Sequence, residues 1–471
     1  MGYDLQDIAK NYIRRAREAQ TCLGRMTQRE VDRVAFHCGK AVFDNAAILA
    51  EQAVKETGLG NVRDKTIKKR AKAEATWAEI KDRKTVGMIK RDDEKRMMYY
   101  ADPVGIVAGV APCTNPIATA MFYTMICMKT RNALIISPHP KAVESTKLTV
   151  KLMREAIAFA NLPEHAIQIL DEPHFSSRES LELSSLVMSL ANMIVATGGP
   201  KLVDAAYHSG TPAYGVGAGN TPVYIHPSAD IPAAVEKILL GRSFDNGIIC
   251  ASEQHLIVPR EVYTKVYNSL SESGAYIVSD HAERQQLSRT IFDSEGHIKI
   301  PFLGKSASYI AEEAGLEAAR DCRVLVVPVR VQDIGCDPYS AEKLCPILSM
   351  FTVENYLEGL DVAERLLNYQ GKGHSAAIHL DELHHERDLL TWSERMPATH
   401  IIVNMPSATS SGGSRFNWLT PSTTLGCGAY GGTMPMETIN LSVKQLINYK
   451  AVAMPLSRSR IPDNTFESAV P

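Results

Sequence analysis

Leu190-Ala191-Asn192-Met193-Ile194-Val195-Ala196-Thr197-Gly198-Gly199-Pro200 is the stretch that decides the fold. Leu190 to Ala196 is a short apolar run, Thr197-Gly198-Gly199 is a glycine turn, and Pro200 stands where the first turn of a helix accepts proline. A strand, a tight turn and a helix in succession form part of a βαβ unit. The same order recurs upstream at Gly105 to Val110, Ala133 to Ile136 and Ile167 to Leu170, and downstream at Thr221 to Ile225 and Gln254 to Val258. It continues at Val324 to Val327, Ile347 to Phe351, Ala376 to His379 and Ile401 to Asn404. Runs that are apolar on both faces and alternate with helical segments predict largely parallel sheets covered by helices.

Outside these repeats the pattern changes. Asp4 to about Lys81 reads as helices, with apolar residues three and four apart (Val31, Val34, Ala35, Cys38) and a break at Gly58 to Gly60. Thr85 to Ala101 reads as a long hairpin turning at Arg91-Asp92-Asp93-Glu94. The expected class is α/β with two Rossmann-like parallel-sheet domains in series and a protruding hairpin for oligomerisation. The first domain covers 1–226, with the hairpin at 85–102; the second covers 227–406; a loop and a C-terminal segment returning to the first domain cover 407–471.

Composition narrows the function. The 471 residues are 45% hydrophobic, enough for a large core in two or three lobes. A net charge of -2, from 51 basic and 53 acidic side chains well mixed along the chain, argues against nucleic acid or an anionic membrane and for a small-molecule partner. Nine cysteines, scattered and without a CxxC pair or a Cys/His cluster at zinc spacing, point to a reducing cytoplasmic setting and no metal site. No secretory leader is expected from the charged, amphipathic start, nor a membrane span, since no apolar run reaches about 18 residues.

The chemistry concentrates in Ser243-Phe244-Asp245-Asn246-Gly247-Ile248-Ile249-Cys250-Ala251-Ser252-Glu253-Gln254. Asn-Gly signals a turn, and Cys250 follows it just ahead of a strand, where a sulfur is presented between two elements. That position suits a nucleophile, although an arbitrary cysteine is more often a buried thiol.

With this window the chain resembles the aldehyde dehydrogenase superfamily, and within it the branch that acylates coenzyme A, including the aldehyde half of bifunctional alcohol-aldehyde dehydrogenases. The resemblance runs from about Ala19 to Asn448. Its motifs stand in order: Pro103 to Val107, Thr114-Asn115-Pro116, Ser137-Pro138-His139-Pro140, Ala196 to Pro200, Gly215 to Asn220, Phe244 to Glu253, Glu342 to Pro346, and Leu425-Gly426-Cys427-Gly428. It implies that Cys250 is the nucleophile and that Asn115 helps bind the developing oxyanion, which needs donors already aimed at it. Taken alone, Asn115 before proline is an ordinary turn residue.

The resemblance also implies a nicotinamide dinucleotide site. Thr197, Gly198 and Gly199 lead into a helix N-terminus, a favourable place for a pyrophosphate. Ser137, His139 and Pro140 lie at the edge that holds the adenosine ribose, Gly217 belongs to the two-glycine motif, and Glu342 matches the carboxylate that grips the nicotinamide ribose. Pro140 stands where NAD-preferring relatives often carry glutamate, which leaves NADP open, while acylating relatives with the same Ser-Pro-His-Pro motif use NAD. The hydrolytic branch places a glutamate ahead of its two-glycine motif; this chain has Val216. Valine takes no proton, so water attack should be slow, whereas a thiol of pKa roughly 8.5 needs less help. Coenzyme A is the expected acyl acceptor; a hydrolytic enzyme is the alternative.

The stretches Trp77 to Gly87 and Gly373 to His379 look closer to acylating succinate semialdehyde and sulfoacetaldehyde dehydrogenases than to acetaldehyde enzymes. An anionic aldehyde follows, sulfoacetaldehyde ahead of succinate semialdehyde and acetaldehyde third. Arg415, with Ser414 and Asn417, is the expected clamp for its charge. Lys68-Lys69-Arg70 reads as a solvated face, His384-His385-Glu386 as a solvated helix, and His374 has no evident role. Resemblance and hairpin together imply a homodimer or homotetramer.

Overall fold

The computed structural model describes residues 4–172, 174–431 and 434–461. Four helices come first: α1 (Leu5–Leu23), α2 (Gln28–Asp44), α3 (Ala46–Thr57) and α4 (Val62–Ile80). Their starts follow local chemistry. Asp4 caps α1, Thr27 and Glu30 form a reciprocal capping box on α2, and the Asn61 side chain accepts the Asp64 N–H at the start of α4.

Strands β1 (Gly87–Asp92) and β2 (Met97–Pro103) are the expected hairpin. Beyond it lie β3 (Ile106–Val110), helix α5 (Pro116–Lys129), β4 (Ala133–Ser137), β5 (Ile167–Ile169), β6 (Met193–Thr197) and β7 (Ala213–Val216). These strands form a parallel five-stranded sheet in the order β5-β4-β3-β6-β7. The chain reverses direction across the sheet between β3 and β6, and open α/β sheets bind ligands beyond the carboxyl ends of the strands at such a point. Helix α5 is apolar all round and buried over its whole length, which anchors Asn115 at its start.

The second sheet has seven parallel strands in the order β10-β11-β12-β9-β8-β13-β14. They are β8 (Pro222–Ile225), β9 (His255–Pro259), β10 (Ala275–Ile277), β11 (Val324–Pro328), β12 (Ile347–Val353), β13 (Gly373–His379) and β14 (Ala398–Val403). The domain boundary therefore lies between Val216 and Pro222, ahead of the expected 226: β8 pairs with β9 and β13, so the strand read as the last of the first domain belongs to the second.

Strand β15 (Ile447–Ala453) pairs antiparallel with β2, giving a three-stranded sheet β1-β2-β15. The C-terminal segment does return to the first domain, with Leu441, Val443 and Leu446 in its core. Among the described residues no helix is long and apolar enough to cross a membrane.

Candidate active site

The site forms where the C-terminal edge of the first sheet meets the N-terminal edge of the second. Cys250 reaches it through a strained turn. Asp245, Asn246 and Gly247 all have positive φ (50°, 55° and 68°), a conformation that costs a non-glycine residue roughly 1–2 kcal/mol. Gly247 has no alternative, since a Cβ there would lie 2.8 Å from the Arg242 carbonyl oxygen. The turn is held from outside: the Asp245 carboxylate accepts the Asn61 N–H (3.1 Å) and the Lys65 ammonium (3.1 Å), and the Asp245 N–H donates to Asp64 (2.8 Å).

Gly219 packs on the Cys250 backbone, where a Cβ would sit 1.9 Å from the Cys250 carbonyl oxygen and 3.4 Å from His374 Nδ1. The Gly219 N–H donates to Glu342 Oε1 at 3.1 Å. Cys250, Gly219, Glu342 and His374 thus converge at the entry ends of β9, β8, β12 and β13. Burial, then the nearby Glu342 carboxylate, pushes the Cys250 thiol up to about 12, and burial pushes Glu342 up to about 7. The thiol is protonated at rest. Val216, Ala251, Leu425 and Cys427 form a small apolar cluster against Ile249 and Cys250, so the position of the hydrolytic base is filled by hydrocarbon.

Asn115 is the N-cap residue of α5, yet its side chain makes no capping bond. Its Oδ1 instead accepts from Lys68, which also pairs with Asp245. His374, left without a role by sequence, is fully buried with Nε2 unpartnered, and burial, then His400, lowers its pKa to about 3. It is a neutral imidazole with one ring nitrogen unbonded beside the nucleophile's loop.

The residues expected to hold a dinucleotide lie at the switch point. Thr197 Oγ1 lies 2.9 Å from both Tyr123 Oη and Thr424 Oγ1. Gly199 caps helix Pro200–His208, and no atom lies within 4 Å of where its Cβ would be, so a phosphate can reach the helix N-terminus. Gly217 is equally open, whereas a Cβ on Gly198 would strike Leu202 at 2.5 Å. Ser137 and Pro140 line a cavity with Val143, Leu170 and Glu172 at the end of β4, a fit for the adenosine end of the cofactor; His139 Nδ1 accepts the Lys141 N–H (3.1 Å) beside it.

Two groups of residues lie otherwise than the sequence suggests. Arg415 is 72% exposed at the surface and paired with Glu74; Ser414 and Asn417 bond within their own loop, Ser414 N–H to Asn417 Oδ1 (3.3 Å) and Asn417 Nδ2 to the Ser410 carbonyl (3.1 Å). The arginine is taken by a local carboxylate. The supposedly solvated Lys68 and Lys69 turn inward, Lys69 being 3% exposed, while Arg70 does face solvent. Lys65, Lys68, Lys69 and Lys72 share one face of α4 at helical spacing, and with Asn115 the first three line a narrow cavity. Lys72 Nζ donates to the carbonyl of Gly412 (2.6 Å), and its charge would be favoured by a thiolate on Cys250. Burial, then neighbouring lysines, lowers Lys69 to about 6 and Lys72 to about 8. Asp245 is the carboxylate paired with this row: burial works to raise its pKa, but Lys68 and Lys65 together hold it below the ordinary value.

The family profile described as "Aldehyde dehydrogenase family" matches residues 4–288. The chain is 38% identical over 456 residues to a succinate-semialdehyde dehydrogenase (acetylating) of Clostridium kluyveri, covering 96% of this chain and 97% of that one. It is 37% identical to a sulfoacetaldehyde dehydrogenase of Acholeplasma sp., covering 93% and 89%. Among solved structures, an acetylating aldehyde dehydrogenase of Geobacillus thermoglucosidasius superposes with a TM-score of 0.90 at 39% identity, covering 97% and 98%. A propionaldehyde dehydrogenase of Rhodopseudomonas palustris, with bound CoA and an acylated cysteine, superposes with 0.82 at 25% identity, covering 95% and 97%. The chain belongs to the aldehyde dehydrogenase family. It is an NAD(P)-dependent oxidoreductase, and the Clostridium kluyveri and Geobacillus relatives it resembles are named as acetylating enzymes.

Proposed function

We propose that the protein converts a short anionic aldehyde, sulfoacetaldehyde ahead of succinate semialdehyde, reversibly into its coenzyme A thioester through a thioester on Cys250. The observation that carries the substrate class is the lysine row of α4: Lys65, Lys68 and Lys69 beside Asn115, and Lys72 within electrostatic reach of Cys250, with Asp245 as their paired carboxylate. An anionic tail would supply the missing negative charge. It would sit against Lys72, which is lowered only to about 8 and so still carries its charge near neutrality, while its aldehyde carbon faces the sulfur.

In this account Glu342, raised to about 7, takes up the Cys250 proton as the thiolate adds to the aldehyde. The Asn115 amide and the Cys250 backbone N–H receive the oxyanion. NAD(P)+, which Thr197, Gly199, Gly217 and Glu342 would hold, would supply the hydride acceptor, so that an acyl group would remain on Cys250. Coenzyme A, a few per cent thiolate near neutrality, then takes the acyl group and releases the Cys250 sulfur without needing a strong base. Water competes poorly because Val216 and its apolar neighbours offer no base.

The test is steady-state kinetics with sulfoacetaldehyde, succinate semialdehyde and acetaldehyde, with and without coenzyme A. The reading expects kcat/KM for the best anionic aldehyde to exceed that for acetaldehyde by about ten- to a hundredfold, the worth of a charge-assisted hydrogen bond. Acetaldehyde preference would refute the substrate class, and undiminished turnover without the thiol would refute acylation. A homo-oligomer joined through β1-β2-β15 is part of the same reading, since the outer strand β15 exposes its free edge. So is a cytoplasmic setting, where unpaired thiols stay reduced.

A further inference from the structure

The active site uses the entry end of the seven-stranded sheet. At the opposite end, β8 finishes at Ile225, and the next residue, His226, is buried. Helix Glu386–Arg395 starts beside it, with His385 as an N-cap residue that makes no side-chain capping bond and Asp388 in the first turn. His226 Nε2 lies 3.4 Å from Asp388 Oδ2, and His385 Nδ1 lies 3.3 Å from the same oxygen. One ligand atom from each of the three lies within 4.8 Å of the others.

The His385 contact is a long hydrogen bond and the His226 contact is longer still, both beyond the usual 2.7–3.2 Å. They match the separation of about 3.3–3.4 Å between adjacent ligands around a tetrahedral ion with bonds of roughly 2.0–2.1 Å. The surroundings resemble an outer coordination shell. Ser228 holds His226 Nδ1 both through its own N–H, which donates to it at 3.2 Å, and through its Oγ at 2.7 Å, itself held by the Asp381 N–H at 3.0 Å; a metal on Nε2 would move the ring proton to Nδ1, where Ser228 Oγ can accept it. Tyr356 donates its hydroxyl to the Asp388 carbonyl, and Trp392 packs on Tyr224 at 5.8 Å between ring centroids, which fixes the helix against β8. His385 and Asp388 are partly exposed, giving an ion an entry path and leaving room for water.

We propose that His226, His385 and Asp388 bind one zinc-class divalent ion per chain, with the fourth position taken by water. Sequence spacing hides the site because its ligands come from a strand end and a distant helix; His384, beside His385 in the sequence, pairs instead with Asp381.

The test is titration of the chelator-treated full chain with Zn2+ and with Co2+, followed by calorimetry and by cobalt absorption. The proposal expects one equivalent bound, an imidazole-carboxylate cobalt spectrum without thiolate charge-transfer bands, and a Tm that rises with Zn2+. Asp388→Asn and His385→Ala, which alter partly exposed side chains, should each remove that equivalent while aldehyde turnover persists. Ser228→Ala should weaken binding about ten- to a hundredfold. Absence of a stoichiometric equivalent in the wild type, equal binding by the Asp388→Asn and His385→Ala variants, or a thiolate spectrum would overturn it.

Discussion

Lys68 donates to the side-chain carbonyl of Asn115 while pairing with the carboxylate of Asp245. Because the amide oxygen is engaged, both Asn115 N–H bonds are left for a ligand. The strained turn that delivers Cys250 and the side chain assigned to its oxyanion are therefore tied together through one ammonium group. Asn115→Ala should lower kcat by about 10²–10³, roughly 2.7–4 kcal/mol, the usual loss for one oxyanion donor. Steady-state kinetics check it; an effect confined to KM would make Asn115 a substrate-positioning group.

Lys72 is the ammonium closest in influence to Cys250. Lys72→Met should cost an anionic aldehyde on the order of 1.5–3 kcal/mol in kcat/KM and a neutral aldehyde little. Arg415→Ala, which breaks an exposed pair, should change both by less than about threefold. The pH dependence has a definite sign. Lys72, lowered to about 8, binds an anion in its protonated form, so KM for the anionic aldehyde should rise as pH climbs through about 8. KM for acetaldehyde should stay level, and equal pH profiles would count against the lysine row.

Glu342 titrates near 7 in the free enzyme. Its carboxylate, which accepts ribose hydroxyls better than the neutral acid does, forms as pH rises, so NAD(P)+ affinity should increase through about pH 7. Glu342→Gln should flatten that profile. Fluorescence titration of the cofactor at several pH values reads it directly.

Val216→Glu puts a carboxylate into the apolar cluster against Cys250. It should raise coenzyme A-independent acid formation in folded protein. If the free acid measured by chromatography does not increase, the acceptor is set by exclusion of water.

Much of the fold was legible because both sheets are parallel and buried, so their strands appear as continuous apolar runs. The two strands of these sheets that were missed, β7 and β10, are four and three residues long, and β15 was read only as a returning segment. Cys250 was legible because a turn and a motif frame it. The lysines of α4 were not, since helical spacing shows that they share a face but not which way it points. Arg415 misled for the converse reason: an arginine in a polar loop looks available until Glu74, far away in sequence, occupies it. His374 carried no signal, because its relation to Gly219 exists only after β8 and β13 pair.

The central claim is the acyl group on Cys250, and mass spectrometry tests it most directly. The protein is mixed with sulfoacetaldehyde or succinate semialdehyde and NAD+ without coenzyme A, quenched, and digested. The account predicts an acyl adduct on the peptide bearing Cys250, discharged as acyl-CoA when coenzyme A is added before quenching and missing from Cys250→Ala. An unmodified Cys250 in protein that still reduces NAD+ at full rate would contradict it.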